Sequence, residues 1–366
     1  MKKHILLLTS SLLLHTMLMA QQFSEQPIPG LPALTNSKAE WSDLDNNGFV
    51  DLLVSGQTDI GADYFNVFLN IGDGSFTASS AGISTLANMQ FGLADLNHDG
   101  FIDLFVSGED GAGQANTTYY ANDGDGSFTG SVTGLVQLKD GDFALKDFDQ
   151  DGDIDLIYSG RDDSSNRQTV AYRNENGELI NETISLPGLA NGAIKAADFN
   201  GDGLADVLLS GIGNAANRVT EVYLNEGNWN FSASANSFIA TAFNQIAVSD
   251  IDLNGSLDFV MTGISDSGFQ SLYYSNENGV FSLSNIGLTA FASGQVGIAD
   301  FNGDQYPDIL IGGSTSGGLF ENQYLRSDGL TGFDNRVSPL DQITNGSYAV
   351  ADFNKDSYVD VYYQNL

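Results

Sequence analysis

The sequence predicts an all-β protein, a seven-bladed β-propeller built from four-stranded repeats of about 51 residues. Three observations carry that prediction. A nine-residue acidic pattern, Asp-x-Asp/Asn-x-Asp/Asn-x-x-x-Asp, begins at Asp43, Asp95, Asp147, Asp198, Asp250, Asp300 and Asp352, at intervals of 50–52 residues. Between successive copies lie short apolar segments separated by Gly, Asn and Asp, with no helical period. Four strands in a unit of about 50 residues, repeated at constant spacing, make a propeller blade. Finally, the segment before each pattern alternates in size. Large residues stand two and four places before the leading Asp (Leu93 and Phe91, Ile298 and Val296), and small ones one and three places before it (Ala94 and Gly92, Ala299 and Gly297). A period of two puts these sets on opposite faces, which suits a first strand near a crowded axis.

In chain order, residues 1–20 read as a signal peptide. Lys2 and Lys3 precede an interrupted apolar run, and Ala20 precedes Gln21 and Gln22. The run is short and broken for a membrane span. No Cys stands at the cut, so lipoprotein anchoring is excluded. Residues 21–366 are then expected to be one propeller, without membrane insertion, secreted, periplasmic or at the cell surface. Gln22 to Pro27 aligns with the fourth strand of the other units, so the N-terminus is expected to complete the last blade. No third strand for that blade is visible after residue 360, so a thin seventh blade of two or three strands, or a truncated chain, is expected.

Each unit continues past its acidic loop with an apolar second strand ending in a Ser-Gly turn (DLLVSG from Asp51, DLFVSG from Asp103). A third strand ends in Asn (Asn70, Asn122, Asn225, Asn276), and a glycine turn leads to a short fourth strand. Glu40, Lys146 and Lys195 interrupt the first-strand pattern. They either line the axial channel as a site or, for the lysines, neutralise Asp147 and Asp198.

The acidic loops carry the chemistry. Oxygens at positions 1, 3, 5 and 9 converge if the loop wraps, and position 7 can add a carbonyl. The candidate ligands are Asp43, Asp45, Asn47 and Asp51; Asp95, Asn97, Asp99 and Asp103; Asp147, Asp149, Asp151 and Asp155; and Asp198, Asn200, Asp202 and Asp206. The later loops add Asp250, Asp252, Asn254 and Asp258; Asp300, Asn302, Asp304 and Asp308; and Asp352, Asn354, Asp356 and Asp360. An all-oxygen set in a flexible loop suits Ca²⁺ better than Mg²⁺, so up to seven Ca²⁺ are expected, with the position-9 carboxylate able to bind through both oxygens. Glycine at position 6 permits the sharp turn in loops one to five. Gln305 and Ser357 replace it in loops six and seven, and Pro307 follows at position 8 of loop six.

Composition limits function. Asp and Glu number 47 against 13 Lys and Arg, a net charge of −34, which repels nucleic acid. The absence of Cys excludes disulfides, thiolate metal sites and a Cys nucleophile. After leader removal only His98 remains, inside the second loop, so a Ser-His-Asp triad is implausible.

The unit resembles the FG-GAP repeat, also called the VCBS repeat, of integrin α-subunit propellers and many secreted bacterial proteins. The seven loops, the DLxxSG strands and turns such as Asn70 to Phe76 carry the resemblance. It implies a propeller with calcium loops on one face and ligands commonly on the other. The expected function is a secreted, monomeric calcium-binding module, with structural calcium, that binds a glycan or an extracellular protein and is not an enzyme. The alternatives are a spacer domain in a larger secreted assembly and a carbohydrate-active enzyme. The recognition surface is expected opposite the loops, with Arg161, Arg167, Arg218, Phe243 and Phe291.

Overall fold

Each leading Asp falls just past the end of a strand, and each position-9 Asp begins the next. In the computed structural model, which describes residues 3–8, 23–79, 81–131, 134–329, 332–338, 340 and 346–364, this rhythm builds antiparallel sheets throughout, with no helix among the described residues. Blade one comprises Leu34–Ser42, Asp51–Thr58, Asp63–Asn70 and Phe76–Ser79, hydrogen-bonded in chain order. Five further blades repeat that up-and-down order, the sixth ending with Phe333–Arg336. First strands of neighbouring blades lie against each other around the axis.

The expectation of a seven-bladed propeller is corrected to six blades. Six blades are each built from one contiguous four-stranded repeat. The ring is closed by a sheet of another construction. Ala349–Ala351 and Asp360–Gln364 supply its two inner strands, and Lys3–Leu8 and Phe23–Gln26 its two outer ones. Phe23–Gln26 takes the fourth position, where the alignment put it. The third position, expected to be empty, is filled by Lys3–Leu8, which pairs with both neighbours. That apolar run reads as leader, and its composition equally suits a strand beside 360–364. The rest of the expected leader, apart from those six residues, lies outside the described residues.

The core lies between sheets rather than within one. Leu53 and Val67 of blade one pack with Phe91, Leu104 and Val106 of blade two, and equivalent clusters fill the later junctions. Trp41 stacks on Phe353 of the closing sheet at 5.8 Å. Burying such rings at each junction is the main stabilisation of a wedge-packed ring.

Polar bolts cross the same junctions. The side-chain amide of Asn122, at the end of the third strand of blade two, donates to Leu44 O in the loop of blade one at 2.8 Å and to Ile102 O at 3.0 Å. Asn70, Asn174, Asn225 and Asn276 reach the preceding unit in the same way, at Phe353 O, Leu96 O, Phe148 O and Phe199 O, 2.8–2.9 Å away. Ser327 occupies this position in blade six.

The Ser-Gly dipeptides are not turns. The second strand of blade one runs through Ser55 and Gly56 to Thr58 before the chain reverses. The dipeptide exists for close approach. A Cβ at Gly108 would lie 2.7 Å from Ala87 O on the blade's own first strand, and one at Gly160 2.7 Å from Lys139 O, which bridges to Arg161 just before the first strand of its blade. The hydroxyl beside the glycine faces the next blade: Ser107 donates to Leu138 O at 2.6 Å and Ser210 to Thr241 O at 2.9 Å.

Candidate functional site

The acidic loops share one backbone conformation. Position 4 is left-handed in all seven (Asn46, His98, Gln150, Gly201, Leu253, Gly303 and Lys355, φ 55–79°), and so is position 6 (φ 70–99°). Gln305 and Ser357 adopt the glycine conformation despite their Cβ, so the two divergent loops wrap like the others.

Three side-chain contacts recur in every loop and draw the oxygens inward. The position-1 carboxylate accepts from the position-6 amide, from Gly48 N to Asp43 at 2.8 Å through to Ser357 N to Asp352 at 2.9 Å. The position-3 oxygen of Asp45, Asn97, Asp149, Asn200, Asp252, Asn302 or Asn354 accepts from the amide of position 5 at 2.9–3.3 Å. The position-5 oxygen of Asn47, Asp99, Asp151, Asp202, Asn254, Asp304 or Asp356 accepts from that of position 7 at 2.7–3.1 Å.

Position 9 closes the site from below. Asp51, Asp103, Asp155, Asp206, Asp258, Asp308 and Asp360 are fully buried. Both oxygens of Asp51 accept backbone amides, from Leu44 at 2.8 Å and Asn70 at 2.7 Å. Each oxygen keeps one lone pair, which leaves it able to bind a cation alongside these bonds. Burial, aided by the neighbouring loop carboxylates, pushes Asp51, Asp206, Asp258 and Asp308 up to about 6 and Asp155 up to about 7, against hydrogen-bond donors that lower them. Burial likewise raises Asp103.

The donor set fits a hard divalent cation. Carboxylate oxygens of Asp43, Asp45 and Asp51 lie within 4.8 Å of one another, as do those of Asp147, Asp149 and Asp151 and of Asp250, Asp252 and Asp258. The four loops with Asn at position 3 form no such three-carboxylate cluster among the described residues. Oδ1 of Asp43 and of Asp95 is buried without a hydrogen-bond partner, a costly state for a carboxylate oxygen without a cation.

Position 4 links a loop to its neighbour in four of the seven units. Asn46 donates to Gly100 O at 2.9 Å, Gln150 to Gly203 O at 2.7 Å, and His98 Nε2 lies 3.2 Å from Asp153. Lys355 sits 4.2 Å above the Phe49 ring, and a Cβ at Gly72 would lie 2.7 Å from that ring. Loops and glycine turns therefore share one face.

At the opposite end of the first strands a cavity of about 450 Å³ opens on the axis. Its rim repeats. Asn36, Asn88, Asp140, Asn191 and Phe243 stand seven residues before their leading Asp, all left-handed with φ 50–56°. Backbone bonds link them across blades, Asn191 N to Asp140 O at 2.6 Å and Phe243 N to Asn191 O at 2.7 Å. Ser37 Oγ and Asn244 Oδ1, in residues 5% exposed, line the cavity and have no partner. Lys38 and Lys195 lie 3.8 and 3.5 Å from Asp142, and Glu40 3.4 Å from Lys38. Lys195 thus lines the channel and meets Asp142 rather than Asp198, while Lys146 is exposed.

The arginines and aromatics expected on this face separate. Arg161 is engaged by Asp140 and Glu109, and Arg218 by Asp266. Arg167 Nε is buried. Phe291 is fully buried and belongs to a junction core, whereas Phe243 is 45% exposed at the cavity rim. Sequence reasoning missed the rim amides, although their interval of 51–52 residues was a signal.

Residues 43–106, 147–209, 198–261 and 250–311 match the FG-GAP-like repeat, together more than half the chain. Comparison with curated proteins gives no match. Among solved structures the chain is similar to AofleA from Arthrobotrys oligospora (11% identity, 85% of this chain and 88% of that chain covered, TM-score 0.50). It is similar to a triple arginine-to-alanine mutant of the same protein (12%, 84% and 89%, 0.50). Aleuria aurantia lectin, described as a six-bladed β-propeller with a novel fucose recognition mode, gives 12%, 83% and 95%, and 0.49. At these identities the likeness is one of fold. The repeat match and the loop geometry it spans agree, and the chain belongs to the FG-GAP-like repeat family.

Proposed function

We propose that the protein is a secreted binding module, stabilised by calcium in its acidic loops, that recognises a glycan or an extracellular protein on the face opposite those loops. The observation that carries this reading is the polar axial cavity, ringed by residues from successive blades on the face whose connectors vary. The loop face suits metal better than a partner, since its side chains are spent on holding the loops. An all-oxygen donor set, clustered carboxylates, buried unpartnered carboxylate oxygens and a strong negative charge favour Ca²⁺ there. Its role is structural in this reading, because the loops join first to second strands and touch their neighbours. An extracellular setting, where millimolar calcium is met, follows from the leader-like composition of residues 1–20, whereas the structure uses Lys3–Leu8 as a strand of the closing sheet.

The test is a glycan array with calcium present, paired with a pull-down from cell-surface material. Binding without turnover supports the module. A released product favours a carbohydrate-active enzyme, and silence in both favours a spacer.

A further inference from the structure

We infer that the axial cavity is a site for a neutral saccharide, with Phe243 as the platform on which a sugar ring stacks. The inference rests on the reading that this face recognises a ligand, and it names the ligand class.

Phe243 is the anomaly on the rim. The equivalent residues Asn36, Asn88, Asp140 and Asn191 are of the types that tolerate a left-handed backbone. An aromatic side chain at φ 53° is not. Nor does burial reward it, since 45% of the residue stays exposed. An outlier held against both backbone preference and the hydrophobic effect points to function. Of the two aromatic residues that line the cavity, Tyr348 is 9% exposed, so Phe243 offers the accessible ring.

The surroundings select the ligand. Asn36, Asn88, Asn191, Gln90 and Gln245 line the same cavity and each offers a donor and an acceptor, the pairing that a sugar hydroxyl needs. Asn244 directs its amide nitrogen to Ser210 Oγ and Thr241 Oγ1, leaving its buried Oδ1 as an unused acceptor. Ser37 Oγ is the second unused group. The charges are already matched within the protein: Lys38 and Lys195 with Asp142, Glu40 with Lys38, and Asp140 with Arg161. An ionic ligand would have to break these pairs, whereas a neutral polyol would not. A volume of about 450 Å³ falls in the small-ligand range and accommodates one or two pyranose rings.

The experiment is calorimetric titration, with calcium present, of methyl glycosides of glucose, galactose, mannose, fucose and N-acetylglucosamine, and of maltose, cellobiose and lactose. Glucuronate and glucosamine serve as charged probes. The wild type is compared with Phe243→Asn and Phe243→Trp. Phe243→Asn installs the residue of the neighbouring blades, so its melting temperature should equal or exceed that of the wild type. At least one neutral probe should bind the wild type, lose about tenfold or more in affinity with Phe243→Asn, and bind Phe243→Trp as well as before. Saccharide binding that survives Phe243→Asn overturns the axial assignment but leaves a glycan-binding module. Preference for a charged probe overturns the neutral class. If no probe binds but a protein is crosslinked to this face, the saccharide inference falls and the binding face stands. If neither binds, both fall.

Discussion

Asn122 and Leu44 belong to different blades, yet the amide of the first donates to the carbonyl of the second at 2.8 Å across a buried junction. The same amide also reaches Ile102 O. Asn122→Ala would strand the buried carbonyl of Leu44 and remove a second bond to the half-buried carbonyl of Ile102. We expect a loss of about 1–3 kcal/mol, read from the urea midpoint at unchanged slope. A variant as stable as the wild type would show that the bolt carries no weight. Asn174→Ala, with the same two contacts, should behave alike.

Gln305 tests the loop conformation itself. Its φ of 74° is one that glycine adopts freely and a side chain resists. Gln305→Gly should raise stability by up to about 1 kcal/mol, the strain relieved exceeding the added chain entropy. The reverse change, Gly152→Ala at φ 99°, should lower it by about 1–2 kcal/mol. Opposite signs in thermal melts are the expected result. Equal signs would mean that the sixth loop is shaped by something other than its backbone.

What could be read in advance was what is local. Asp43 to Asp51 span nine residues, so ligand spacing, wrap and repetition are visible in one line of sequence. The bolt from Asn122 to Leu44 joins residues 78 apart, and its recurrence shows only as an Asn ending each third strand. Ser107–Gly108 was visible as a repeat but was expected to turn, because close approach to Ala87 O leaves no mark in composition. Lys3–Leu8 joins the closing sheet with a composition that also suits a leader. The rim of the cavity was hidden because Phe243, a residue type that avoids left-handed backbone, holds a position occupied by Asn in three other blades.

Chelation tests the metal reading. A cation that binds the folded chain alone stabilises it by mass action, about 2.7 kcal/mol per site at a hundredfold excess over Kd. Exhaustive treatment with chelator should lower the melting temperature, and added Ca²⁺ should restore it where equimolar Mg²⁺ does not. Asp43→Asn should weaken the response more than Asp73→Asn, which removes a carboxylate of the exposed glycine turn bonded to Ser75. An unchanged melt, with no metal found by elemental analysis, would sink the calcium assignment.

Asp142 gives the protein an acid limb independent of the loops. Burial would raise its pKa, but Lys195 and Lys38, helped by the Ile194 amide at 3.2 Å, outweigh burial and hold it below the ordinary carboxylate value. The groups facing it are Lys38 from the first strand of blade one and Lys195 from that of blade four, with Glu40 against Lys38. A depressed folded pKa means that the native state holds its proton less tightly than the unfolded chain. The stabilisation is therefore fully present above the unfolded value of about 3.9, and it is lost as pH falls through the lower folded one. Asp142→Asn removes this increment at every pH. The variant should be less stable than the wild type at neutral pH in urea, and the gap should close as pH falls below about 4. A gap that stays constant through that fall would show that the loss comes from packing rather than from the charge of Asp142.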